Sequence, residues 1–240
     1  MTRVVTKSVQ RLPLVATALA ALVTPALALD GQGTIAQTST TVFPIRITAA
    51  GSYVVTTNIV PASTTVDAID VNANNVSINL NGFSIIGRGS GSGVGINGAS
   101  HASISVTNGT VTSMGSRGVL LGNNALVKGV NAISNGSDGI AAGNNSEVDN
   151  CGASSNAGAG IVCGNDCLIQ DNAADANSVD GMYTGTGGTV IRNAASDNTF
   201  YGIHSGINAG LGKNVLGNNG LGCFDFGTSM GDNVCKGSRF

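Results

Sequence analysis

A repeat of 21 residues runs through the second half of the chain and limits the folds that it can adopt. In rows of 21 that begin at Arg117, glycine recurs at two row positions and asparagine at a third. These columns are Gly118, Gly139, Gly160, Gly181 and Gly202; Gly122, Gly143, Gly164, Gly185, Gly206 and Gly227; and Asn135, Asn156, Asn177, Asn198 and Asn219. A fixed short period is the signature of a solenoid, in which each repeat packs on the next.

Three apolar columns indicate how each row winds. They are Val119, Ile140, Ile161, Met182, Ile203 and Phe224; Val127, Val148, Ile169, Val190 and Leu211; and Ala132, Ala153, Ala174, Ala195 and Leu216. Short apolar segments between glycine and asparagine bends are typical of strands, and no row leaves room for a helix. The sequence therefore predicts an all-β chain that coils as a single-stranded parallel β-helix.

The glycine and asparagine columns have structural explanations. Glycine fits bends where a Cβ atom would clash. Asparagine tolerates a left-handed bend, and stacked asparagine side chains hydrogen-bond along a ladder. We expect the asparagine column to occupy such bends, and we assign no chemistry to these columns.

The first 28 residues have the pattern of a cleavable signal peptide. Arg3, Lys7 and Arg11 precede an apolar stretch over residues 12–23, and small residues up to Ala28 suit cleavage there. A membrane anchor is the alternative, but the stretch is short and contains prolines and threonines. Cleavage leaves eight basic and thirteen acidic residues, which disfavours nucleic acid as a partner, and no later segment could span a membrane. The chain is thus predicted to be exported, to the periplasm or the exterior.

The rows continue upstream with longer turns. The segment Ile78–Phe83 resembles the segment Ile104–Gly109, and residues 44–47 and 53–55 look like short strands. We expect residues 29–66 to cap the solenoid, residues 67–221 to form its coils and residues 222–240 to cap its other end, because an uncapped solenoid exposes strand edges.

The pattern Asp-Gly-Ile-x-x-Gly, which begins at Asp138, together with a late asparagine in each row resembles a known family of repeats. It is similar to the right-handed β-helix repeats of the pectate-lyase-like superfamily, and most similar to the carbohydrate-binding and sugar-hydrolase type. The resemblance covers residues 40–240 and implies a right-handed β-helix of about eight coils. This scaffold carries lyases, hydrolases, epimerases and proteins without catalytic activity, so the resemblance does not decide the activity.

Five cysteines in an exported chain imply disulfides with one thiol left over. Cys223 and Cys235 bracket the shortened final coil, and Cys163 and Cys167 flank a turn, so we expect these two pairs. Cys151 then stays free and faces inward. A metal site of Cys151, Cys163 and Cys167 is the alternative, but the spacing is not a zinc pattern and no histidine is near.

One exposed column carries the residues suited to chemistry. Because side chains alternate across a strand, the residues after the inward isoleucines face out, which stacks Tyr183, His204 and Asp225 on successive coils. Asp180 and Tyr201 begin the same strands and would bind ligand. As a catalytic site, one group would remove the C5 proton of a uronate, another would protonate the leaving oxygen, and Asp225 would orient His204.

Two hypotheses follow. The first is a non-catalytic module that presents a rigid surface to carbohydrate or to a cell-envelope component. The second is a polysaccharide lyase or C5-epimerase that acts on a polyuronate, with calcium as a cofactor only in the lyase case. Lyases and epimerases of this family also use calcium or a basic cluster, whereas Arg192 and Lys213 stack in another column with Asp171. Uniform coils without loop insertions favour the first hypothesis, and an adhesin or secreted effector is a third.

Overall fold

The computed structural model describes residues 31–236 and 238–239; the predicted signal peptide lies outside them. Within these residues every regular element is a β-strand. In chain order the strands are Gly33–Ile35 (β1), Ile45–Ile47 (β2), Gly51–Val55 (β3), Ile69–Val71 (β4), Val76–Asn79 (β5), Ser84–Ile86 (β6), Ile96–Gly98 (β7), Ile104–Thr112 (β8), Val119–Leu121 (β9), Leu126–Ile133 (β10), Ile140–Ala142 (β11), Glu147–Asp149 (β12), Gly152–Ser154 (β13), Ile161–Cys163 (β14), Leu168–Gln170 (β15), Ala173–Asp175 (β16), Met182–Thr184 (β17), Thr189–Ile191 (β18), Ala194–Ser196 (β19), Tyr201–Ser205 (β20), Gly210–Gly212 (β21), Val215–Gly217 (β22), Gly222–Asp225 (β23), Thr228–Gly231 (β24), Val234–Cys235 (β25) and Ser238–Arg239 (β26).

The strands stack into a right-handed solenoid, which confirms the predicted fold class. One sheet, here called the front sheet, has nine parallel strands: β2, β4, β7, β9, β11, β14, β17, β20 and β23. The remaining seventeen strands form a second sheet around the other sides of each coil. The solenoid has about ten turns where the sequence predicted eight. The difference arises at the amino-terminal end, where the 21-residue spacing does not hold and turns are harder to count from the sequence.

The core is the stack of inward columns that the sequence analysis identified. Ile140 pairs with Ile161, Ile161 with Met182 and Met182 with Ile203, and all four side chains are fully buried. Each side chain packs on the equivalent residue of the next coil, so the apolar area of every coil is covered by its neighbours.

The predicted place of the asparagine column is wrong by one residue. The left-handed backbone falls on the residue before each asparagine: φ is 55° at Ser155, 53° at Ala176 and 54° at Asp197. Alanine has no preference for this conformation, so the ladder of the following asparagines holds the bend. The side chain of the asparagine is thereby free to point into the coil.

The asparagines form a buried ladder of amide hydrogen bonds. The Nδ2 of Asn177 donates to Oδ1 of Asn198 at 2.9 Å and to the carbonyl of Ala153 at 3.0 Å. The Oδ1 of Asn177 accepts from the main chain and side chain of Asn156. Nearly every polar atom of such a side chain is therefore satisfied away from water, as burial requires.

A second buried ladder was missed in the sequence analysis. It consists of Asn172, Asn193, Asn214 and Asn233, joined by Nδ2-to-Oδ1 bonds of 3.0 to 3.2 Å. Three of these residues recur at 21, which was the available signal. Cys151 occupies the preceding position, where its main-chain N–H donates to Oδ1 of Asn172 at 2.8 Å.

The cysteines lie in two disulfides and one free thiol. Cys163 is bonded to Cys167 across the turn after β14, and Cys223 is bonded to Cys235, which ties β23 to β25. Cys151 is buried, and this burial raises the pKa of its thiol to about 11. A protonated thiol and two oxidised partners do not suit the metal site that was considered as the alternative. Across the described part of the chain, no three His, Cys, Asp or Glu side chains are grouped to hold a metal ion.

The short strands predicted over residues 44–47 and 53–55 are present as β2 and β3 and pair with neighbouring strands. β2 pairs in parallel with β4 of the front sheet, and β3 pairs with both β1 and β5. None of the elements described between residues 31 and 239 is a helix of the length and apolarity needed to cross a bilayer.

Candidate functional site

The front sheet stacks Tyr183, His204 and Asp225, here called the site column, one above another. Tyr183 lies opposite His204 in the pairing of β17 with β20, and His204 lies opposite Asp225 in the pairing of β20 with β23. All three are partly exposed; Tyr183 and His204 are flanked by buried residues, whereas Asp225 lies between the partly buried Phe224 and the exposed Phe226. The spacing of 21 residues leaves no inserted loop, so the site column lies on an open face.

The carboxylate of Asp180 holds His204 from below. Its Oδ2 lies 3.1 Å from Nδ1 of His204, and its Oδ1 accepts the main-chain N–H of Tyr201 at 3.0 Å. The Asp180 side chain is only 7% exposed, whereas that of His204 is 35% exposed. An ionised carboxylate can only accept, so this contact places the Nδ1 proton of a neutral His204 toward Asp180 and leaves Nε2 as an acceptor facing outward.

Two tyrosine rings pack against the imidazole. The Tyr183 ring meets it nearly edge to face, with centroids 5.2 Å apart and an interplanar angle of 83°. The Tyr201 ring meets it at 5.8 Å and 64°. Edge-to-face contacts of this kind favour a fixed ring orientation. Together with Asp180, the tyrosines give His204 one defined position on the sheet.

Asp225 lies on the other side of His204 but does not bond to it. Its Oδ2 is 3.9 Å from Nε2 of His204, which is beyond hydrogen-bond length. The role of orienting His204, which the sequence analysis gave to Asp225, is taken in this geometry by Asp180. A ligand hydroxyl could contact both Nε2 and the Asp225 carboxylate at once.

The two hydrogen bonds that Asp180 forms with the next coil have a counterpart elsewhere on the front sheet. Asp67 accepts the main-chain N–H of Val94 at 2.7 Å and the side-chain Nδ2 of Asn97 at 2.8 Å. Asn97 stands three residues after Val94, as His204 stands three residues after Tyr201. In both cases an aspartate just before a strand accepts a main-chain N–H of the next coil with one oxygen and contacts the outward side chain of that coil with the other.

Asp138 occupies the equivalent position but contacts a different side chain. One oxygen accepts the main-chain N–H of Ala159 at 3.1 Å, and the other accepts Nε of Arg117 at 2.8 Å. The outward residue of the next coil is Val162, which offers no hydrogen bond. Whether the aspartate forms this second hydrogen bond therefore depends on the residue 24 positions later in the sequence. Comparing residues 21 positions apart does not reveal such pairs.

A small cavity of about 100 Å³ lies at the amino-terminal end of the same face, beside Asp70 and His101. The Oδ1 of Asp70 is buried without a hydrogen-bond partner. Burial, followed by the neighbouring carboxylate of Asp67, raises the pKa of Asp70 to about 6, although Arg46 opposes this. His101, Asp67 and Asp70 belong to none of the 21-residue columns, so the repeat gives no signal for this group.

The expected ion pair beside the second ladder is present. Arg192 binds both carboxylate oxygens of Asp171, at 2.7 and 2.8 Å, while no ion pair is recorded for Lys213 in the part of the chain that the structure describes. These residues line a groove of about 450 Å³ on the second sheet. The groove is on a different side of the coil from the site column.

Comparisons with known proteins agree on the fold. The structure is similar to the A-module of the mannuronan C-5 epimerase AlgE4 of Azotobacter vinelandii, with a TM-score of 0.58 and 14% identity over 83% of this chain and 66% of that one. It is also similar to the periplasmic alginate epimerase AlgG, with a TM-score of 0.53 and 11% identity over 77% of this chain and 49% of that one. The chain thus spans about two thirds and about half of these two proteins.

No family model and no curated protein matches the sequence. At such low identity the similarity to the two epimerases concerns the fold. The parallel ladders, the coil spacing and these neighbours together show that the chain folds as a right-handed parallel β-helix, which is consistent with a pectate-lyase-like fold.

Proposed function

We propose that the protein binds a polysaccharide along the front sheet, with the site column as the point of closest contact. The observation that carries this proposal is the packing of Tyr183 and Tyr201 around His204 on an open sheet face. Aromatic side chains offer an apolar body to sugar rings and a hydroxyl to their polar groups. Asp225 adds an acceptor for a sugar hydroxyl beside the imidazole.

The geometry of the solenoid supports a polymeric ligand. Successive coils are about 4.8 Å apart along the axis, so a chain that lies parallel to the axis meets an equivalent position on every coil. The two structures of similar fold are named as epimerases of mannuronan and of alginate, which supports a polysaccharide by analogy. The predicted signal peptide over residues 1–28 and the two disulfides support an exported protein, because disulfides persist in oxidising compartments.

A second candidate function is proton transfer on the bound sugar, and the Asp180–His204 contact favours it. With its Nδ1 proton held by Asp180, the free Nε2 is an acceptor that could remove the C5 proton of a uronate. In an epimerase, water on the exposed side of the bound sugar would return a proton to the opposite face of C5. In a lyase, the bond from C4 to its oxygen would break and Tyr183 would protonate the departing oxygen.

The test combines binding and turnover on mature protein, residues 29–240. Wild type and His204→Ala are incubated in D2O with polyuronates and neutral glycans, with and without calcium, and binding is measured by affinity electrophoresis. Deuterium at C5 and unsaturated chain ends are followed by NMR. Turnover that falls by about a hundredfold or more in His204→Ala would establish proton transfer, since a general base contributes at least that much.

Binding without turnover would leave the first proposal and exclude the second. Asp138→Asn is the control, because it alters the strand position equivalent to that of Asp180, two coils from Asp180 and three coils from His204. Failure of the folded protein to bind any of the glycans would contradict both functions.

A further inference from the structure

The charges near the site column are almost all negative. Between residues 129 and 235 the only basic residues are Arg192 and Lys213, whereas ten residues are acidic. Both basic residues lie in the bends that follow β18 and β21 of the second sheet, and Arg192 is already neutralised by Asp171. The site itself contains two carboxylates, Asp180 and Asp225. A bare polyanion that approaches this face therefore meets a potential of its own sign.

The outward column of the front sheet continues without charge on the amino-terminal side of Tyr183. Its next three members are Val162 on β14, Ala141 on β11 and Leu120 on β9, each paired with the following coil. Three coils correspond to about 14 Å along the axis. Over that length, a ligand that follows the column meets apolar side chains, and the cation beside them, Arg117, is already bound to Asp138.

The turns on both sides of the site column expose apolar side chains. Phe200 and Leu221 precede β20 and β23, and their exposed fractions are 43% and 61%. Ile207 and Phe226 follow the same strands and are 64% and 63% exposed. The main-chain N–H of Leu221 donates to the carbonyl of Phe200 at 3.0 Å, so these two stack coil on coil. Two pairs of exposed apolar side chains, one at each end of β20 and β23, thus flank the site column.

We infer that the site takes an uncharged polysaccharide whose rings carry small apolar substituents, such as methyl esters or acetyl groups, and not a bare polyanion. This inference rests on the proposed function and specifies its ligand. Uncharged rings meet no repulsion from Asp180 and Asp225, and ester or acetyl methyl groups would lie against Phe200, Leu221, Ile207 and Phe226. A polyanion would need a bridging cation to offset this repulsion.

The experiment compares two forms of one polymer. A polyuronate and its fully methyl-esterified form are tested against mature wild-type protein at low and high salt, by affinity electrophoresis and titration calorimetry. We expect the esterified form to bind about tenfold more tightly at low salt, which corresponds to about 1.4 kcal/mol, and the difference to shrink at high salt because screening removes the repulsion.

Two variants separate the charge and apolar contributions. Val162→Lys introduces a cation on the outward column and is expected to raise affinity for the unesterified form severalfold. The double variant Phe200→Ser, Leu221→Ser is expected to lower affinity for the esterified form about tenfold. Val42→Ser is the control, since Val42 is 59% exposed but lies at the opposite end of the chain from the site column.

Equal or tighter binding of the unesterified form would overturn the inference and leave the proposed function standing. Tight binding of that form only when calcium is added would also overturn it, since a cation would then supply the missing charge. If neither form nor any neutral glycan binds, the proposed function itself fails, and the inference fails with it.

Discussion

The asparagine ladders and the site column repeat with the same spacing but differ in every other respect. Asn177 is 1% exposed and bonds above, below and to main chain. His204 is partly exposed, bonds on one side through Nδ1 and leaves Nε2 without a hydrogen bond. A column whose polar atoms are all satisfied inside the coil has a structural role. A column with unused donors and acceptors on the surface is able to meet a ligand.

The largest effect is expected from breaking the ladder. Asn177→Ala removes four hydrogen bonds, two donated to Asn198 and Ala153 and two accepted from Asn156, and leaves the main-chain N–H of Asn156 without its acceptor in the interior. Each buried group left unsatisfied costs about 1–3 kcal/mol, so we expect a loss of about 3 kcal/mol in the free energy of unfolding. The measurement is the midpoint of urea unfolding, compared between variant and wild type with the same dependence of the unfolding free energy on urea concentration.

Asn144→Ala is the matched control for the ladder. Asn144 belongs to an exposed row in which its Oδ1 accepts the main-chain N–H of Asn165 at 2.9 Å. Water can replace that bond, so we expect a loss of less than about 1 kcal/mol. Similar losses in the two variants would contradict the distinction between buried and exposed ladders.

The next largest effect is expected from changing Asp180, whose carboxylate contacts His204 of the site column. In Asp180→Asn, the amide still accepts from Tyr201 but turns a donor toward Nδ1 of His204, which disturbs the ring. We expect about tenfold weaker glycan binding, as for other groups that orient a binding side chain. Asp138→Asn should leave the affinity unchanged, and equal losses in both variants would assign Asp180 a purely structural role.

The smallest effect tests the one buried polar atom that the described structure leaves without a partner. The folded pKa of Asp70, about 6, lies above the ordinary value of 3.8. The folded state therefore retains this proton while the unfolded state loses it, and stability falls as the pH rises from about 4 to about 6. For a carboxyl that is partly screened by solvent, the loss amounts to about 1 kcal/mol.

Asp70→Asn removes that titration. Its thermal midpoint should match that of the wild type near pH 4 and exceed it slightly above pH 7. Arg46 and Asp67 face the same carboxyl, and Asp67→Asn should weaken the pH dependence as well. A constant difference between Asp70→Asn and wild type across this range would show that folding does not raise the pKa of Asp70.

The repeat predicted the coil, the inward columns and the stacking of Tyr183, His204 and Asp225. It predicted less where the spacing varies: the step from Ile69 to Ile96 is 27 residues, and the amino-terminal turns were therefore undercounted. It also assigned the left-handed bend to the asparagine, although the bend falls on the residue before it. A period shows which residues are equivalent, but not which of two neighbours takes a strained backbone.

What the sequence alone determined is everything that depends on position within a row, because equivalent residues of a solenoid meet equivalent surroundings. Only the tertiary structure decided the contacts between different positions of neighbouring coils. The bond between Asp180 and His204 joins the start of one strand to the outward face of the next, 24 residues on. Its existence depends on side-chain direction and on the stagger of the coils, which no single column of the sequence contains.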